Sequence, residues 1–167
     1  MIIPSYLTVI TLIASLLFNA GAIAAEPREI TWDDLLPPGV PYAEIIAEGE
    51  LDDVNDTWNP VYDENAIKLN EALDGAYIKL PGFIIPFDVS SDGVRVFMLV
   101  PYVGACIHVP PPPANQLVMV TAAQPWPGDQ LWDPVWVTGI LRTQLQSTEL
   151  GQTGYSIGAE AMEVYEW

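Results

Sequence analysis

The chain has 167 residues, half of them apolar, which suits a single domain with a sizeable core and excludes disorder along its length. Five basic residues stand against 22 acidic ones, a formal net charge of −17. No basic stripe exists to neutralise phosphates, so nucleic acid is excluded as a partner class and adhesion to anionic lipid is disfavoured.

Residues 1–25 carry no charged side chain, and their apolar run ends in Ala20, Ala22 and Ala24, the small-residue pattern of a signal-peptide cleavage site. This predicts a leader cleaved near Ala24 and a periplasmic domain, with no membrane contact beyond the leader. No Lys or Arg precedes the apolar run, and ~20 apolar residues can span a bilayer, so an uncleaved anchor is the alternative. Cys106 is the only cysteine, which rules out an intrachain disulfide. In an oxidising compartment such a thiol is buried, metal-bound, reactive, or paired with another chain.

The stretch 26–59 reads as an acidic N-terminal segment, with a Trp-Leu turn at Trp32-Asp33-Asp34-Leu35-Leu36. Its acidic run contains Asp53-x-Asn55-x-Thr57, half of a calcium loop without the glycine and distal Glu, and so reads as a solvated face. A helix is predicted over 60–74, with Asn59 as cap, Pro60 in the first position, Asp63 and Glu64 at the positive dipole end, and Tyr62, Ala66, Leu69 and Leu73 on one face. Gly75 supplies the stop.

Beyond Gly75 the apolar period changes to two. Strands are predicted over 76–87, broken at Pro81-Gly82, and over 94–102, joined to the first by the turn Ser90-Ser91-Asp92-Gly93. Further strands follow over 116–121, over 134–143 with Gly139 as a bend, and over 155–165. Sixteen prolines, about twice the usual ~5% share, also favour a loop-rich β domain over a helical bundle. Five bent strands imply a mainly β domain over 60–167, an OB-like Greek-key barrel with one leading helix, or alternatively a β-sandwich.

Between the second and third strands lies Pro101-Tyr-Val-Gly-Ala-Cys-Ile-His-Val-Pro-Pro-Pro-Pro-Ala-Asn-Gln116. Cys106 and His108 are two apart, which in an extended segment points both to one face. Such a pair can ligate zinc or copper, although zinc normally takes three or four ligands, so the rest must come from acidic side chains, Tyr102, water or a partner. His108 can equally lower the pKa of the thiol and make it reactive. Pro110, Pro111, Pro112 and Pro113 favour a stiff polyproline II rod of roughly 12 Å at ~3.1 Å per residue. That rod would hold Asn115 and Gln116 at a fixed offset from His108, or present itself to a partner's aromatic groove. The bland readings are a small buried thiol and a hydrogen-bonded structural histidine.

Pro81-Gly-Phe-Ile-Ile-Pro86 followed by Leu99 to Gln116 resembles a bacterial family of small exported domains of unknown function, marked by a G-A-C-I-H-x-P-P-P-P-x-N-Q signature. The resemblance runs from about Trp32 to the C-terminus. It points to Gly104, Cys106, His108, the four prolines, Asn115 and Gln116 as the signature positions. It implies no established activity, cofactor or substrate, and suggests an envelope protein or a component of an ABC transporter system as partner.

Trp126, Trp132 and Trp136, interspersed with prolines, form a second candidate surface for stacking on sugars or on another protein, or else close one end of a barrel. Three functions follow as expectations. The first is an exported binding module that handles a metal through Cys106 and His108. The second is an envelope adaptor using the proline rod and the Trp loop. The third is a thiol enzyme, for which Asn115 would orient the imidazole; it ranks last because no oxyanion site is recognisable.

Overall fold

The structure, a computed structural model, describes residues 26–52, 57–104, 111–148 and 151–166. In chain order its strands are β1 (Arg28–Glu29), β2 (Ile45–Asp52), β3 (Thr57–Tyr62), β4 (Tyr77–Pro86), β5 (Val94–Val100), β6 (Val118–Trp126), β7 (Val135–Thr148) and β8 (Gly151–Val164). Short 3-10 turns at Asp33–Leu35, Glu64–Ile67, Glu71–Leu73, Ala114–Gln116 and Gly128–Gln130 connect them.

Alternating burial along β4 sends Ile78, Leu80 and Ile84 inward, as the period of two requires. They meet Phe97, Leu99, Val120, Val137, Leu141 and Ile157 in one apolar core. Burying each such side chain contributes on the order of 1.5–3 kcal/mol. The strands run β4-β5-β6-β8-β7, and β7 pairs back onto β4, which closes the barrel. β6 and β8 run parallel and the other barrel pairs antiparallel. This five-stranded Greek-key closure is the OB-like architecture expected from the strand pattern, and not a sandwich.

Closure depends on β4 serving two neighbours. Tyr77–Gly82 pair with β7, and Phe83–Pro86 pair with β5. The changeover falls at Pro81-Gly82, where the sequence indicates a break. A Cβ on Gly82 would lie 2.8 Å from both Leu99 Cγ and the Val100 carbonyl oxygen, so only glycine permits the crossing. Gly139 plays the matching part in β7: the β7–β8 register shifts there, and a Cβ would lie 2.1 Å from the Gly158 carbonyl oxygen.

The helix expected over 60–74 is replaced by the end of β3 and two 3-10 turns. Pro60 lies in the two-stranded β2–β3 sheet, where a residue without an N–H is tolerated at an edge. The cap is Asp63, whose carboxylate accepts from Asn65 N at 2.9 Å. Ala66 and Leu73 are buried all the same, because two consecutive turns satisfy the same apolar spacing. The N-terminal stretch is part of the body: β1 runs parallel to β4, and Ile30 and Leu35 join the core. A second, smaller cluster of Met98, Val100 and Leu117 packs with Phe83, Ile85 and Phe87, so β5 is buried on both faces.

Overpacking at a backbone contact costs about 1–3 kcal/mol. Gly139→Ala is expected to lower the unfolding free energy by about 3 kcal/mol in urea melts. Gly158→Ala, whose Cβ meets nothing within 4 Å, should change it by less than about 0.5 kcal/mol.

Candidate functional site

The chain leaves β5 through Pro101-Tyr102-Val103-Gly104, and Gly104 adopts φ +81°, a left-handed turn that suits glycine. Tyr102 is 40% exposed and Val103 61%. With Phe83, Ile85 and Trp132 they line an apolar notch of about 90 Å³. Trp132, from the loop between β6 and β7, is 80% exposed, so an indole stands in solvent beside the point where the chain enters 105–110. The structure thus brings Tyr102, Gly104 and Trp132 to one place. Cys106, His108 and Pro110 lie outside the described residues.

The three tyrosines Tyr42, Tyr62 and Tyr102 gather at the same end. Burial raises the Tyr42 phenol well above its ordinary value, and the neighbouring Tyr102 and Tyr62 phenols add to the effect. A neutral phenol is a poor metal ligand, so this cluster supplies shape and not charge. Among the described residues no three His, Cys, Asp or Glu side chains converge to hold a metal ion.

The chain returns at Pro111, whose carbonyl oxygen accepts from the Tyr62 hydroxyl at 2.8 Å. Pro113 has φ −63° and ψ 158°, close to polyproline II geometry. Pro112 and Pro113 are buried, however, so this stretch forms a wall of the barrel end rather than a free-standing surface rod. Together with Pro60, Tyr62, Ile67 and Gln152 it encloses a groove of about 390 Å³.

Asn115 and Gln116 are 0% and 2% exposed. Asn115 Nδ2 donates to the carbonyl oxygens of Asn65 at 2.7 Å and Lys68 at 3.1 Å. Gln116 Nε2 donates to Trp32 O at 3.1 Å and Asn115 O at 3.0 Å. Both amides, candidates for a site shared with His108, therefore bind backbone of the N-terminal turns. Tyr155 extends the same seam: its hydroxyl donates to Leu35 O at 2.5 Å and accepts from Asn70 N at 2.6 Å. Gly154 lets β8 approach, since a Cβ there would lie 2.8 Å from the Ala114 carbonyl oxygen. Nothing local in the sequence marks Tyr155 for this part; only the glycine before it hints at a close approach.

The tryptophans separate. Trp126 is 7% exposed, belongs to the core and donates Nε1 to Gln130 O at 3.1 Å, whereas Trp132 faces solvent. Trp136 packs edge-on against Tyr165 with ring centroids 4.9 Å apart, and Lys79 Nζ lies 4.8 Å from its ring centroid.

The protein is thus a mainly β, closed OB-like barrel, with an apolar notch lined by Tyr102, Gly104 and Trp132. Residues 32–164 match the family described as "Protein of unknown function (DUF3299)", and the chain belongs to that family. A crystal structure of a DUF3299 family protein from Pseudomonas aeruginosa PAO1 is similar to it, with 37% identity, a TM-score of 0.68, and coverage of 86% of this chain and 99% of that one. Among curated proteins, none matches.

Burial raises the Tyr155 phenol from 10.0 to about 12, with the Glu71 carboxylate adding to the shift and the hydrogen bond from Asn70 N opposing it. The folded state therefore holds this proton more tightly than the unfolded chain does. The stabilisation is complete below pH 10 and is lost as pH rises towards about 12. Tyr155→Phe is expected to flatten the fall in stability across that window, read by urea melts at stepped pH. It should also lower stability at neutral pH by about 1–2 kcal/mol through the lost hydrogen bonds.

Proposed function

We propose that the protein is an exported, non-catalytic binding module whose contact surface is the barrel end between Gly104 and Pro111. One observation carries this reading: Tyr102, Gly104 and Trp132 line one apolar notch, with Tyr102 and Trp132 40% and 80% exposed. An exposed indole beside an apolar notch is suited to anchor a partner surface, since interface energy concentrates in such aromatic anchors. The partner is an envelope protein, with a component of an ABC transporter system as one form of it.

Cys106 and His108, carried by the segment that starts at this notch, are the proposed metal ligands, with zinc or copper as the ion. Two ligands make a weak site that a partner completes, which suits handing a metal on rather than storing it. The acidic surface would raise the local cation concentration. For the thiol-enzyme reading, Asn115 commits its Nδ2 to the Asn65 and Lys68 carbonyls, while its Oδ1, the atom that would accept from an imidazole, has no partner among the described residues; the reading still ranks last for want of an oxyanion site.

Zinc and copper(I) titrations of the reduced, untagged protein test the metal reading. One ion per chain is expected, lost in Cys106→Ser and in His108→Ala; affinity no greater than that of the double variant contradicts it. Trp132→Ser should abolish photo-crosslinking to a partner from the neighbouring Val103 position while shifting the urea midpoint by less than about 0.5 kcal/mol in stability. Unchanged crosslinking contradicts the contact surface.

A further inference from the structure

The hairpin β2–β3 is a two-stranded sheet with no ladder to the barrel. Among the described residues, this hairpin and its flanks expose Tyr42, Ile45, Ile46, Trp58, Val61 and Ile67, each between 36% and 65% accessible. So concentrated an apolar exposure on one element marks a contact surface. Trp58 and Val61 are three residues apart in a strand that keeps its regular step, so they project from opposite faces. An arm that is apolar on both faces would leave one of them wet if laid on a flat surface. A cleft buries both.

The backbone edges are poor templates for strand addition. Pro60 lacks an N–H, the ladder shifts between Ile45 and Ala47 and again between Ala47 and Glu50, and Gly49 takes φ +70°. Recognition must therefore come from side chains. Charge then selects among occupants. The described residues of the arm, 43–52 and 57–62, contain four acids, Glu44, Glu48, Glu50 and Asp52, and neither Lys nor Arg. A second copy of a chain with net charge −17 would bring like charge against them.

We infer that the β2–β3 hairpin is a docking arm that inserts into the apolar cleft of a different protein whose rim carries Lys and Arg. The base of the arm adjoins the Trp132 notch, since Tyr42 and Tyr62 neighbour Tyr102, but no residue of the arm lines the notch, so the inference goes beyond the contact surface proposed above and is tested separately from it.

The test places a photo-crosslinking amino acid at Ile46, Val61, Trp132 and, as a control on β7, Leu145, in the full-length chain produced in cells. The same heteromeric adduct is expected from Ile46 and Val61 and none from Leu145, with the crosslinked partner peptide flanked by Lys or Arg. The paired variant Glu48→Lys and Glu50→Lys, on exposed side chains, should cut the yield about tenfold or more without shifting the urea midpoint. An adduct with a second copy, an equal adduct from Leu145, no adduct from the arm, or a yield indifferent to charge reversal overturns the inference. An adduct from Trp132 with none from the arm sinks the arm alone, and the reverse sinks the notch alone.

Discussion

The buried amide of Asn115 is the constraint on which one whole end of the molecule rests. Its two donors reach carbonyls 50 and 47 residues away in sequence, on the 3-10 turn that follows β3. Gln116 reaches the backbone of Trp32, 84 residues away. The Asn65 and Trp32 carbonyls also accept from Lys68 N and Leu35 N within their own turns, so the Lys68 carbonyl is the one that depends on Asn115, and left inside without a donor it would cost about 1–3 kcal/mol. These two side chains therefore tie the turns to the barrel end, alongside Tyr155, which bonds Leu35 O and Asn70 N. Once docked, the turns place Leu35 over the core, set Trp32 to donate to the Pro81 carbonyl, and seat Tyr62 against Pro111.

This seam divides the stretch 101–116 by role. Its C-terminal part, from Pro112 to Gln116, is buried and holds the barrel end together. Its N-terminal part, Tyr102 to Gly104, opens onto an apolar notch beside an indole in solvent. A rigid wall supporting an exposed edge is the arrangement a contact surface needs, because the ordering cost is met by folding and not by binding.

Much of the barrel was legible beforehand, because period-two burial is a local property. The five strands, the break at Pro81-Gly82 and the bend at Gly139 can all be read from single positions. Their physical reasons, contacts with Leu99, Val100 and Gly158, appear only once neighbouring strands are paired. The segment 60–74 misleads because apolar residues three and four apart satisfy two 3-10 turns as well as one helix, and because Pro60 suits both a helix start and a strand edge. Asn115 and Gln116 were recognisable as unusual but not as structural. An amide that lines a site and an amide that caps distant carbonyls look the same until the distant carbonyls are known. Leu35 was legible, because Trp32-Asp33-Asp34-Leu35-Leu36 reads as a turn that packs Trp and Leu onto the body, whereas Ile30 sits within an acidic stretch whose charge masks it.

The stretch 101–116 splits into a part that holds the fold and a part that faces outward, and the unfolding free energies of matched variants distinguish the two. In urea melts at neutral pH, Asn115→Ala should lose about 2 kcal/mol or more, through two lost hydrogen bonds, one of which leaves the Lys68 carbonyl without its donor, and a buried gap. Val103→Ser, on a side chain 61% exposed, should change stability by less than about 0.5 kcal/mol. The reverse order, with Asn115→Ala neutral and Val103→Ser strongly destabilised, would contradict that division.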